Sequence, residues 1–90
     1  MAKISNYTRW QYLRELIEDA IEETLLDEEI DESDVEDVIL MISPTLEEVY
    51  AYVNTDESTI DKMAFPDWHM ETADSIEGAV AVADYYFDLR

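Results

Sequence analysis

Thirteen of the chain's 24 Asp and Glu residues fall between positions 15 and 37, a stretch without a single Lys or Arg. Carboxylates are the one reactive group held here in quantity, and three kinds of chemistry use them: cation coordination, acid–base catalysis and recognition of a basic partner. Coordination has a candidate register, because Asp27, Glu29, Asp31 and Ser33 alternate as EF-hand ligands do. The sixth position of that loop is Glu32, where a glycine makes the sharp turn, and the twelfth is Val38, where a bidentate Glu closes the sphere. No specific calcium loop is expected, and His69 with Asp67 and Glu71 beside it does not make a zinc site. Catalysis fares no better. Ser, His and Asp are all present, but nothing resembles a nucleophile elbow or a base held by an orienting acid. With so many carboxylates, some pair at acid–base spacing is guaranteed by count alone. The single glycine excludes a phosphate-cradling loop, and the absence of Cys excludes a thiol nucleophile, a Cys-ligated zinc and a disulfide framework. No catalysis, no metal and no cofactor is expected.

Recognition of a basic partner is the chemistry that remains. Glu15, Asp19, Glu22 or Glu23, and Asp27 recur about once per helical turn, with Glu18 alongside, and neighbouring Cβ atoms on such a face stand roughly 5–6 Å apart. Asp31, Glu32, Asp34 and Asp37 extend the run beyond the helix. Each like-charge pair costs a few tenths of a kcal/mol, with no lysine to relieve it. Solubilising surfaces more often mix signs. A chain of this size exposes on the order of 5,400 Å², so 24 evenly spread carboxylates amount to roughly one per 230 Å². Duplex DNA, at one charge per 1.7 Å of axis, presents on the order of one per 110 Å². Gathered on half of the surface, the acids would match DNA and compete with it for a basic cleft.

In size, acidity and helical charge pattern the sequence resembles the phage-encoded DNA-mimic inhibitors, a group that includes anti-restriction and anti-CRISPR proteins. The resemblance implies a stoichiometric, non-catalytic inhibitor that occupies the DNA-binding surface of a host defence enzyme, a nuclease complex or another DNA-binding protein, with no direct contact to nucleic acid. Two other readings stand beside it. One is an acidic interaction or assembly module whose basic partner has nothing to do with DNA; the other is a small salt-adapted domain of a halophile.

The elements that must carry the face follow from periodicity and caps. Asn6 or Ser5 can cap a first helix reaching about Glu29, because Trp10, Leu13, Ile17, Ala20 or Ile21, and Thr24 or Leu25 recur at intervals of three and four. Ser33 and Glu36 form a capping-box pattern ahead of Val35, Val38, Ile39 and Ile42. Ser43-Pro44 reads as a second restart, leading into Leu46, Val49, Tyr50 and Val53. Residues 38–42 and 49–53 are also rich in β-branched and aromatic types and fit a pair of strands. Asn54–Ser58 is a polar turn, and residues 59–72 read as irregular, with short turns around Ile60, Met63, Phe65 and Trp68. Asp74 with Glu77 opens a last helix facing inward through Ile76, Val80, Ala83 and Phe87.

The expected fold is therefore mainly α: one acidic domain over 1–90, a bundle of three to five helices, with an α+β fold carrying a short hairpin in 38–53 as the alternative. Apolar types at 48% against a net charge of −19 favour a folded domain over disorder. Neither a signal-like start nor a membrane-spanning run is present, and an anionic lipid surface would repel this chain, so cytoplasm is the expected compartment and a membrane partner is not. Of the many aromatics, Trp10, Tyr50, Phe65 and Phe87 are expected in the core. Tyr12 and Tyr85 fall at its rim, where they could support a homodimer.

Overall fold

The computed structural model describes residues 6–87; the cap expected at Ser5, and the side chain of Asn6 that was its alternative, lie outside the described residues. The chain folds as an α+β domain, not as a helical bundle. Helix α1 (Asn6–Asp27) is followed by strands β1 (Val38–Ile42), β2 (Val49–Val53) and β3 (His69–Ala73), then by two short helical pieces, α2 (Ile76–Val80) and α3 (Val82–Phe87). The strands form one antiparallel sheet in the order β2-β1-β3.

The α1 stripe folds as its period dictates. Leu13, Ile17, Ile21 and Leu25 are buried against the sheet, each contributing about 1.5–3 kcal/mol relative to exposure. The helix stops in a Schellman turn, in which the Ile30 N–H bonds the Leu25 carbonyl at 2.9 Å and the Glu29 N–H bonds the Leu26 carbonyl at 3.3 Å. Glu29 occupies the left-handed position at φ 54°, where glycine is usual, and bears a steric cost of about 1–2 kcal/mol.

Both helix starts expected between residues 33 and 53 are overturned. The Ser33 hydroxyl bonds the Asp31 carboxylate across a 3-10 turn at Glu32–Asp34, and β1 follows. The apolar period assigned to a helix at Val35, Val38, Ile39 and Ile42 belongs to a strand whose five residues are all buried. A strand covered on both faces reads as an unbroken apolar run, and that run overlaps a helical stripe. Ser43 does cap backbone, but in a hairpin: its Oγ accepts the N–H groups of Glu47 and Glu48 at 3.1 and 3.0 Å, and Leu46 makes the turn at φ 64°. The alternative hairpin reading is the one the structure supports.

Register assigns the two faces of the sheet. Val38, Leu40 and Ile42 pack with Val53 and the α1 stripe, while Ile39 and Met41 face the other way beside Tyr52 and Tyr50. Residues 54–68 must run the length of β1 to reach β3, and they cross that second face with 3-10 turns at Glu57–Thr59 and Lys62–Ala64. Asp56 and Asp61 each accept a backbone N–H two residues on, from Ser58 and Met63, and so start these turns. Tyr50 stacks on Trp68 at 5.7 Å and meets Phe65 edge-on at 5.6 Å, which ties the crossing to the sheet. Tyr50 is nonetheless half exposed, not a core residue. β3, expected to be irregular, completes the sheet. The last helix begins one residue later than expected, with the Ser75 hydroxyl accepting the Gly78 N–H at 3.0 Å.

Candidate functional site

Helix α1 buries one side, and its other side carries the charge. Glu15, Glu18, Asp19, Glu22, Glu23 and Asp27 are all exposed and spread over the half-circumference turned away from the sheet. From Glu15 to Asp27 they cover about 18 Å of helix axis at 1.5 Å per residue. Among the described residues the base paired with them is Arg14, whose guanidinium lies 3.8 Å from Glu18 and 5.6 Å from the Trp10 ring centroid. Beyond Arg14, the next base in the chain is Lys62, which pairs with Glu57 at 3.8 Å on the crossing segment. Among the described residues, Glu18 is the α1 carboxylate with an ion-pair partner.

Asp31, Glu32 and Asp34 sit in the 3-10 turn just after α1, and Asp37 at the mouth of β1, all exposed. Asn54 fixes this linker. Its Oδ1 accepts the N–H groups of Glu36 and Asp37 at 2.7 and 3.2 Å, and its Nδ2 donates to the Asp34 carbonyl at 3.0 Å. The Ser33 hydroxyl holds the Asp31 carboxyl below the usual carboxylate range against an opposing desolvation penalty, with lesser help from the backbone N–H groups of Ser33 and Glu32.

Two groups of these residues converge. Asp19, Glu22 and Glu23 surround Leu26, which lies nine residues past Ile17, about two and a half turns, and so points to solvent at 72% exposure. Glu18 and Glu22 meet Asp31 and Glu32 along an open groove of about 550 Å³ between the second half of α1 and α2. The bottom of that groove is apolar. Ile21 and Leu25 are already buried there, while Leu26, Ile30, Ile76 and Val80 keep surface open to solvent. An adjoining depression of about 560 Å³ shares Glu18, Ile76 and Val80 and carries the seam on to Trp10 and Asp84. The Trp10 indole N–H donates to the Asp84 carboxylate at 2.6 Å, pinning the start of α1 to α3. Glu15, Asp27, Asp34 and Asp37 line neither feature.

The remaining eleven acids lie elsewhere in the chain, including Glu47 and Glu48 in the hairpin turn and Asp56, Glu57, Asp61 and Asp67 on the crossing segment. Over an accessible surface of 6361 Å², 24 carboxylates average roughly one per 265 Å². DNA-like density requires gathering them on about two-fifths of the surface. Ten described acids stand outside the 15–37 run, on the hairpin turn, the crossing segment, β3 and the C-terminal helical region.

The apolar part of this site is what sequence reasoning missed. Leu26 reads as a good helix former, and its signal was positional: it sits opposite the buried stripe, amid carboxylates. Among the described residues no group of three or more His, Asp or Glu is placed to hold a metal ion, and no helix is long and apolar enough to cross a membrane. His69 is exposed on β3, with its ring 5.5 Å from that of Tyr86, whose hydroxyl donates to Glu71 at 2.6 Å. Burial first, then the hydrogen bond and charge of Glu71, push the Tyr86 hydroxyl well above its ordinary range, so it stays protonated and locks α3 to β3. Comparison of the chain with protein-family models, curated proteins and solved structures finds no match.

Proposed function

We propose that this domain is a non-catalytic interaction module that docks the carboxylate face of α1 onto a basic surface of another protein. The observation that carries the reading is Leu26, an exposed apolar side chain ringed by Asp19, Glu22 and Glu23, none of which is ion-paired among the described residues. Charge around an apolar anchor is the composition of a protein interface: the rim steers the encounter and fixes register, and the anchor slows dissociation. Glu15, Glu18 and Asp27 broaden that rim, and Asp31, Glu32, Asp34 and Asp37 continue it past the end of the helix.

A narrower form of the reading takes the basic surface to be one that holds DNA. The 13 carboxylates uninterrupted by a base favour it; the dispersal of the other acids and the apolar anchor favour the broader form. Affinity capture from lysate at low salt, run in parallel with the parent domain and a Glu15→Lys, Asp19→Lys, Glu22→Lys, Glu23→Lys variant, tests both. The expected result is a basic protein held by the parent and lost by the variant. Displacement of that protein by duplex DNA selects the narrower form, and a ternary complex selects the broader one. Equal retention by the two baits refutes the α1 face as the docking surface.

A further inference from the structure

We infer that the groove between α1 and the C-terminal helical pieces receives the apolar side of a cationic amphipathic helix. The inference deepens the proposed function, resting on the same carboxylate face but naming the occupant. Its first support is the apolar lining. Leu26, Ile30, Ile76 and Val80 keep accessible surface above a floor of buried Ile21 and Leu25, so side chains entering the groove meet hydrocarbon continuous with the core. Its second support is charge. Glu18, Glu22, Asp31 and Glu32 border the groove, Glu77 and Asp84 border its continuation, and among the described residues Arg14 is the single base on either margin.

Length adds a third constraint. The two adjoining depressions follow α1 from Trp10 to Leu26, about 24 Å at helical rise, which accommodates about four turns of a docked helix. Such an occupant presents apolar residues at i, i+4, i+7 and i+11, with Lys or Arg on both flanks. An extended lysine-rich strand would satisfy the rim and leave the floor wet. The end of the groove is built by the Schellman turn, which folds Ile30 back toward Leu25 and brings Asp31 and Glu32 to the margin. The left-handed Glu29 therefore serves the shape of this surface.

The test uses the intact domain and three probes: a Leu/Lys peptide of about 18 residues with leucines on one helical face, an isomer of equal composition in alternating order, and a lysine oligomer of equal charge. Anisotropy at moderate salt gives the affinities, and amide chemical-shift mapping gives the location. The amphipathic peptide is expected to bind at least about tenfold tighter than either control, with shifts at Leu26, Ile30, Ile76 and Val80. Leu26→Asn and Val80→Ser, each checked for native circular dichroism, are expected to erase that advantage while leaving the lysine oligomer unaffected. Leu26 is exposed on a helix, so its variant keeps the fold even where Val80→Ser does not. Equal affinity for all three probes, with shifts confined to Asp19, Glu23 and Asp27, overturns the groove and leaves the carboxylate face standing. Failure of every probe to bind at low salt removes both.

Discussion

Replacing Glu22 with Lys should make this domain more stable, because the face it sits on opposes the fold. Glu22 stands one turn from Glu18 and three residues from Asp19, all exposed, and among the described residues the Arg14–Glu18 contact is the one ion pair they make. Each like-charge pair at these spacings costs about 0.2–0.5 kcal/mol, and reversing one member turns both into attractive pairs of similar size. Glu18 preceding Lys at i,i+4 is also the favourable orientation. Two pairs, each swinging by twice its value, give about 1–2 kcal/mol, and partial compensation of Glu18 by Arg14 places the expectation near 1 kcal/mol. For a domain of this size that is a rise in Tm of about 4–8 °C. Thermal unfolding followed by circular dichroism at low salt reads it directly. The gain should collapse near 1 M salt, where the screening length falls to about 3 Å. A lowered Tm, or a gain indifferent to salt, would mean that the carboxylates are already compensated in the free domain, which refutes the premise that they await a partner.

Ile17→Ala removes a fully buried side chain at the centre of the α1 stripe and should cost about 2–5 kcal/mol in chemical denaturation, a large part of what a domain of this size holds; a loss below 1 kcal/mol would contradict the core assignment. The Thr24 hydroxyl lies 2.9 Å from the carbonyls of both Ala20 and Ala51, the latter on the open edge of β2. Thr24→Val should lose about 1 kcal/mol and speed amide exchange along β2, and unchanged exchange would show that the clip holds nothing. Glu29→Gly should recover about 1 kcal/mol of backbone strain at φ 54°, read as a higher denaturation midpoint with no change in slope; a lower midpoint would show the left-handed residue to be unstrained. Tyr86, whose pKa is raised on folding, binds its proton more tightly in the native state. Its contribution is therefore intact below the unfolded value near 10 and is lost as pH rises from there toward the folded value, so stability should fall above pH 10. Tyr86→Phe should flatten that fall, and an unaltered profile would assign it to other groups.

The α1 helix was legible because one period served one purpose: its apolar spacing of three and four is the burial pattern seen. Residues 33–53 were harder because each cap signal had two uses. Ser43 accepts backbone N–H groups wherever a chain turns, and here it closes a hairpin instead of opening a helix. Val38 to Ile42, buried on both faces, carries no alternation to mark it as a strand, and the β-branched content that did point to strands was the weaker-looking signal. β3 was hidden for a different reason: Glu71 and Ala73 are poor strand formers, Thr72 is its one β-branched residue, and its place is set by pairing with β1. On the candidate site, the sequence displayed every carboxylate but not the groove. That surface forms only when Ile30 from one turn and Ile76 and Val80 from a helix 46 or more residues away meet beside α1.

The central claim is positional: the acids of α1 matter for where they stand, not for the charge they add. The most direct measurement compares two variants of equal charge on the protein recovered by capture. One reverses Glu15, Asp19, Glu22 and Glu23 to lysine; the other reverses the exposed Glu48, Glu57, Asp61 and Asp67, on the hairpin turn and on the segment that crosses the opposite face of the sheet. Like-charge juxtaposition across an interface costs several kcal/mol, so the first variant should lose at least about 100-fold in affinity by calorimetry, and the second should stay within about threefold of the parent. Equal losses in the two would contradict the account, because binding would then track net charge and no face of the fold would be its site.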